Sequence, residues 1–146
     1  MSVDAALAVT AAIVAVAIVC GLIVRARDGR RRSGGDLVIR AEDLDGLSLA
    51  RSATLLQFST ELCARCPQVR RMLGSIADEH ADVAHVEIDL TNRNDLATRY
   101  HVLQTPTTFL VDASGTVLSR WGGVPSRSAI DHALGAVLTP HTQESR

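Results

Sequence analysis

A run of twenty residues without charge, from Ala5 to Val24, constrains the fold of this chain more than any other feature. Thr10 is its one clearly polar side chain. A helix of this length spans about 30 Å, the thickness of the hydrocarbon core of a bilayer. A cleaved signal peptide would need a basic segment before the run, but the only charged side chain there is Asp4. We therefore predict an uncleaved transmembrane helix that anchors the chain in lipid through residues 5–24, with Cys20 as a small apolar residue facing lipid or another helix.

Five arginines follow this run, with Asp28 as the only opposing charge: Arg25, Arg27, Arg30, Arg31 and Arg32. The positive-inside rule predicts a single-pass protein of the cell membrane whose folded domain faces the cytoplasm. The rule is statistical, so an extracytoplasmic domain is the alternative. We interpret the arginines as a solvated basic stalk and Ser33-Gly34-Gly35 as a flexible linker. The predicted division is an anchor and linker over residues 1–35, a folded domain over 36–138 and a polar tail over 139–146.

The composition excludes some classes of function. The formal net charge of −1 gives no reason to expect a nucleic-acid partner. All basic residues are arginine and lysine is absent, which indicates the codon bias of a GC-rich bacterial genome more than a function. Three cysteines are too few for a disulfide framework.

Hydrophobic periodicity predicts an α/β domain. Apolar, β-rich segments predict strands, and the short link between the last two predicts an antiparallel hairpin. Helical periodicity lies between and after them, and Ser126 is a candidate N-cap of the closing helix. The order predicts a mixed sheet with helices on both faces. The predicted strands are 37–39, 53–58, 83–90, 107–112 and 117–121, and the predicted helices are within 41–50, after Cys66, at 94–101 and after Ser126.

Two cysteines, Cys63 and Cys66, lie between a predicted strand and an amphipathic helix. At this spacing on a first helical turn, two sulfurs can approach within bonding distance. The unpaired N–H groups of a helix start favour a thiolate over a thiol. The pair is therefore a candidate redox site.

The strand, the Cys63-x-x-Cys66 motif, the helix and a downstream Thr105-Pro106 strongly resemble the thioredoxin-like family. The resemblance covers residues 36–138. It implies a three-layer fold around a central mixed sheet, and thiol–disulfide exchange that needs no cofactor beyond the redox-active Cys63–Cys66 disulfide. It also implies that Pro106 is cis beside the cysteines and that the backbone of Thr105 pairs with a bound substrate strand. Cys63, nearer the helix start, is the expected nucleophile, and Cys66 is expected to resolve the mixed disulfide.

The chain departs from typical thioredoxins around the motif. Leu62 stands where the family commonly has Trp, and Ala64-Arg65 stands between the cysteines in place of Gly-Pro. Gln57 aligns with a buried acid of the family and cannot accept a proton at neutral pH. Arg65 and Gln57 are therefore the residues expected to set the pKa values of the thiols, and the direction of electron flow stays open.

The predicted function is that of a membrane-anchored thiol–disulfide oxidoreductase whose clients are protein disulfides or dithiols. Its electron donor or acceptor is unidentified: a thioredoxin reductase suits a cytoplasmic domain, and a membrane thiol or quinone-linked partner suits an external one. Two alternatives remain. One is a non-catalytic, membrane-tethered interaction module. The other is a metal site in which the cysteines are joined by histidine ligands, drawn from His80, His85 and His101.

Overall fold

The computed structural model describes residues 2–139. These residues form five strands and four α-helices, and a short 3-10 helix covers Ala41–Leu44. The strands are β1 (Arg31–Ser33), β2 (Ala53–Ser59), β3 (Val83–Asp89), β4 (Thr107–Asp112) and β5 (Val117–Gly122), and the helices are α1 (Val3–Arg27), α2 (Cys66–Asp78), α3 (Asn94–Arg99) and α4 (Arg127–Leu138).

The α1 helix packs none of its residues into the domain. Its most apolar eighteen-residue window has a mean hydropathy of 2.9, and none of that window is buried. Cys20 is a free, exposed cysteine on this helix. Because an isolated apolar surface of this length is unfavourable in water, α1 is a candidate membrane span.

The five strands form one sheet in the order β1-β5-β4-β2-β3. β2 and β3 are parallel, whereas the other three pairs are antiparallel. The sheet is therefore mixed, as predicted, and β4 and β5 form the predicted antiparallel hairpin.

Alternate residues of β2 point to opposite faces of the sheet, and each face has its own core. Leu55 and its neighbours pack against α2 and α4, whereas Leu56 and Phe58 pack on the side of α3. Helices therefore cover both faces, which confirms the predicted three-layer architecture. The only tryptophan, Trp121, is completely buried in β5 on the α2–α4 side.

The segment after α1 differs from the predicted solvated stalk and flexible linker. Arg31–Ser33 forms β1, which pairs antiparallel with Ser119, Arg120 and Trp121 of β5. The Nε of Arg31 also donates a hydrogen bond to Oγ of Ser119 at 2.7 Å. Without β1, β5 would present an unpaired sheet edge, and the extended chain satisfies its backbone groups.

The next two elements are smaller than predicted. Instead of a strand over residues 37–39, a single bridge joins Val38 to Thr116. The helix expected within residues 41–50 is only the 3-10 turn Ala41–Leu44, which ends at Asp45 in the left-handed region. Gly46, also at positive φ, follows directly, so the backbone turns away before a longer helix forms.

The closing helix agrees with its prediction. Ser126 is the N-cap of α4, and its side chain accepts a hydrogen bond from the backbone N–H of Ala129. The buried face of α4 contains Ile130, Ala133 and Leu134. Most of the predicted polar tail, residues 140–146, lies outside the described residues.

Candidate active site

The cysteine pair lies in the connection from β2 to α2. Cys63 and Cys66 form a disulfide, with their Cα atoms 5.4 Å apart. The helix begins at Cys66, so Cys63 lies in the preceding turn and not on the first helical turn. The N–H of Cys66 donates to the carbonyl of Cys63 at 3.2 Å, which closes the turn. Pro67 occupies the start of the helix, where its missing N–H removes no hydrogen bond.

The two sulfurs differ in their access to solvent. Cys63 is half-buried, whereas only 2% of Cys66 is exposed. An incoming thiol or disulfide can therefore reach Cys63 more easily than Cys66. This asymmetry suits a pair in which the outer sulfur reacts first and the inner sulfur follows.

A second loop brings Thr105 and Pro106 to the same end of the sheet. The peptide bond between them is cis. The hydroxyl groups of Thr105 and Thr60 are 3.2 Å apart, and the carbonyl of Thr60 accepts a hydrogen bond from the N–H of Cys63. The carbonyl of Pro106 accepts from the N–H of Gly123 at 2.8 Å. Thr105 and Pro106 therefore lie next to the turn that contains Cys63.

Gln57 lies completely buried on β2, beneath the cysteines. Its Nε2 donates to the carbonyl oxygen of Cys66 at 3.0 Å, and its Oε1 is 3.2 Å from Nε2 of His85. The amide thus connects the first residue of α2 to a histidine on β3. Burial lowers the pKa of His85; the nearby carboxylate of Glu87 opposes this shift and the cation of Arg70 reinforces it.

A polar strip extends from Gln57 towards solvent on the α2 side of the sheet. Ser59 donates to the carboxylate of Glu87, which also accepts from Nη2 of Arg70 at 2.7 Å. The hydrogen bond from Arg70 is the main cause of the lowered pKa of Glu87, while partial burial opposes it. A surface groove runs from the cysteine pair to this carboxylate and is bordered by Ser59, Cys63, Cys66, Arg70 and Glu87. The groove connects the sulfurs with solvent.

Arg65, the cation between the cysteines, forms an ion pair with the end of α1. Its Nη1 is 2.7 Å from Oδ2 of Asp28, the residue that caps α1. The carboxylate of Asp28 partly offsets the positive charge of Arg65 near the cysteines. The expected effects of Arg65 and Gln57 on the thiols stay predictions.

Three residues near the cysteines could not be assigned to the site from the sequence. The sequence alone indicates only that Asp28 opposes the charge of the arginines and that His85 is a possible metal ligand, and it gives Glu87 no role. Alternation of side chains along a strand could have indicated that His85 and Glu87 belong to the site. Gln57 lies two residues before Ser59, and His85 lies two residues before Glu87. Two neighbouring strands with polar side chains on the same face place those side chains together.

The alternative of a metal site would require histidines beside the cysteines. Within residues 2–139, no group of three or more His, Cys, Asp or Glu side chains is placed to hold a metal ion. His85 contacts Gln57 instead.

Comparisons with known proteins identify the fold and the family of the chain. Three similar solved structures are a mutant thioredoxin from Halobacterium salinarum NRC-1, thioredoxin-2 of a malaria parasite and Fasciola hepatica thioredoxin. They are 22%, 18% and 18% identical to this chain, with TM-scores of 0.53, 0.55 and 0.52. The matches cover 60%, 63% and 61% of this chain and 75%, 89% and 83% of the respective structures. At these identities, the likeness establishes the fold. No curated protein matches the chain.

The sequence comparison extends this result from fold to family. The model of the family described as thioredoxin matches residues 42–135, more than half of the chain. The match includes β2, the cysteine pair, α2 and the Thr105–Pro106 loop. The chain therefore belongs to the thioredoxin family.

Proposed function

We propose that this protein is a membrane-anchored thiol–disulfide oxidoreductase that acts on protein disulfides through Cys63 and Cys66. The observation that best supports the proposal is the bonded pair itself, with an accessible outer sulfur and a buried inner one. The adjoining Thr105–Pro106 loop gives a substrate backbone a place to bind. The apolar α1 supports the anchor.

In the reduced protein, the thiolate of Cys63 attacks one sulfur of a substrate disulfide. The substrate S–S bond breaks, its second sulfur leaves as a thiolate, and a mixed disulfide forms. The thiolate of Cys66 then attacks the sulfur of Cys63. This releases the second substrate thiolate and leaves the Cys63–Cys66 disulfide, so two electrons have passed to the substrate. An external dithiol restores the pair by the same exchange, and the reverse sequence oxidises a substrate.

Resolution requires Cys66 to lose its proton, and Gln57 has no group that accepts one. The groove between the cysteines and Glu87 supplies a route for this proton to solvent. The hydrogen bond from Gln57 holds the carbonyl of Cys66 and thereby the start of α2. In this mechanism Gln57 positions the resolving cysteine without taking its proton.

The proposal is tested with the full chain in detergent, using insulin reduction with dithiothreitol as the electron donor. We expect turnover by the unmodified protein and none by Cys63→Ser. Cys66→Ser retains the nucleophile and lacks the resolving thiol, so when it is first reduced and then incubated with insulin without dithiothreitol, it should accumulate a mixed disulfide that dithiothreitol afterwards releases. The matched Cys20→Ser variant, which changes the cysteine on α1, should keep full activity.

Absence of turnover with every donor, together with no mixed disulfide in Cys66→Ser, would refute the enzyme assignment. A folded but inactive protein of this kind would instead be a non-catalytic interaction module. The replacement of the usual acid by Gln57 is the observation that favours this second candidate.

A further inference from the structure

The end of the membrane helix contacts the candidate active site directly. Asp28 follows the last residue of α1, and its carboxylate pairs with Arg65 between the two cysteines. Asp28 retains only 27% of its side-chain exposure, although it lies in a segment expected to be a solvated stalk. No flexible spacer therefore separates the anchor from the redox pair.

Two glycines allow this close approach. Gly29 has a φ of +69°, and a Cβ added there would lie 2.3 Å from the carbonyl oxygen of Val124. At Gly123, with a φ of +84°, a Cβ would lie 1.5 Å from Oδ1 of Asp28. A larger residue at Gly29 would collide with the backbone of Val124 and force the two segments apart, and one at Gly123 would displace the carboxylate of Asp28.

Backbone hydrogen bonds continue the attachment along the domain. The N–H of Gly29 donates to the carbonyl of Gly122 at 2.7 Å. Two residues later β1 begins, and its three residues pair with β5. An ion pair, a backbone hydrogen bond and a strand pairing together limit rotation of the domain about the end of α1.

The length of this connection sets the depth of the site. From Val24, the end of the apolar run, to Asp28 is four residues, or about 6 Å at the helical rise per residue. The polar headgroup layer on each side of a bilayer is about 5–7 Å thick. The ion pair between Asp28 and Arg65 thus lies at headgroup depth, whichever side of the membrane the domain occupies.

The protein surface beside the cysteine pair is suited to a position at headgroup depth. Leu62, directly before Cys63, is 97% exposed, and Leu103, three residues before Pro106, is 94% exposed. A depression between the end of α1 and the Leu103 loop is bordered by four arginines: Arg27, Arg30, Arg32 and Arg120. Apolar side chains next to arginines are characteristic of protein surfaces at a bilayer interface.

We infer that the active-site face is held at the bilayer surface, and that its substrate is a cystine of another membrane protein located at headgroup depth. This inference rests on the proposed function and deepens it. A membrane protein presents such a cystine at the level of Cys63 and meets the exposed leucines with its own interfacial apolar residues. A soluble protein must displace lipid or approach between the bilayer and the domain.

The orientation is tested first, without reference to activity. Leu103→Trp and the matched control Ala113→Trp, in the β4–β5 turn at the opposite end of β4, are each reconstituted as full chains in vesicles. The vesicles contain phosphatidylcholine and phosphatidylglycerol brominated near the acyl carbonyls. After subtraction of the Trp121 signal, we expect at least threefold stronger quenching for Leu103→Trp. Equal quenching of the two variants would overturn the inference.

The substrate class is tested with two cystine peptides of the same local sequence. One is soluble, and the other continues into a transmembrane helix that places the cystine at headgroup depth. The compared enzymes are the unmodified chain and a chain with about ten Gly and Ser residues inserted between Arg27 and Asp28. This insertion keeps Asp28 beside Arg65 and adds a reach of about 17 Å.

We expect the ratio of membrane-peptide to soluble-peptide reduction to fall at least tenfold on insertion. An unchanged ratio would refute the substrate assignment. If neither chain reduces either peptide, the proposed function fails, and the quenching comparison still decides the orientation.

Discussion

Replacing Gln57 by Met tests the buried connection beneath the cysteines. Met has nearly the volume of Gln, so the substitution removes the amide and leaves no large cavity. It removes the hydrogen bond to the carbonyl of Cys66, at 3.0 Å, and the contact with His85, at 3.2 Å. A hydrogen bond contributes about 1 kcal/mol net to stability, so the expected loss is about 2 kcal/mol.

The measurement is urea unfolding of the full chain in detergent micelles, followed by fluorescence of the completely buried Trp121. With a denaturant slope of about 2 kcal/mol per molar urea, the midpoint for Gln57→Met should fall by about 1 M. The thiol exchange rate should fall as well, because the start of α2 loses a side chain that holds it.

Thr108→Val is the matched control on the neighbouring strand. Thr108 is the β4 residue directly paired with Gln57, and it is equally buried. Its Oγ1 has no hydrogen-bond partner among residues 2–139, so removing this hydroxyl loses no bond. We expect the midpoint to stay constant or to rise by up to about 0.5 M. A midpoint for Gln57→Met that falls no further than that of Thr108→Val would refute the assigned hydrogen bonds.

Three further predictions concern the rest of the domain. Burial tends to raise the pKa of Asp43, but hydrogen bonds from Tyr100 and Arg99 outweigh it and lower the pKa below 3.8. The stability gained from the carboxylate is therefore present above pH 3.8 and is lost as the pH falls through the pKa of Asp43 in the folded state. Asp43→Asn should be less stable than the unmodified protein by about 2 kcal/mol at pH 7. When the unfolding midpoint is measured at decreasing pH, this variant should not show the acid-induced loss. Burial lowers the pKa of His85 below 6.5, so the folded state disfavours the protonated form and stability should decline as the pH falls below 6.5. His85→Gln should reduce the difference between the urea midpoints measured at about pH 7.5 and 5.5. Ser126→Ala removes the N-cap of α4 and should cost about 1 kcal/mol in the same assay, whereas Ser126→Asp should restore most of it.

Local sequence pattern was sufficient for the central elements of the domain. The predicted strand at 107–112 coincides with β4, and the strand predicted at 53–58 ends one residue short of β2. The N-cap at Ser126 was also confirmed. Such elements are predictable because alternation, helical periodicity and capping depend on residues only a few positions apart.

The candidate site was located by pattern in the same way, since Cys63-x-x-Cys66 and Thr105-Pro106 are short motifs. The side chains that surround these motifs could not be predicted from local pattern. Gln57 was expected to lack a proton-accepting role, but its partner His85, twenty-eight residues away, follows only from the parallel pairing of β2 with β3. No periodicity within either strand identifies which side chain of the other it meets.

The segment after α1 shows most clearly that contacts between distant residues cannot be predicted from local pattern. Its arginines and glycines have the composition of a solvated linker, yet Arg31–Ser33 completes the sheet because β5 offers an unpaired edge. The ion pair between Asp28 and Arg65 joins residues 37 positions apart and requires the glycine at 123 to admit it. Composition and periodicity determine which segments are helix, strand or apolar anchor. Whether the end of α1 stands free of the cysteine pair or lies beside it depends on contacts between distant segments, which exist only once the sheet has formed.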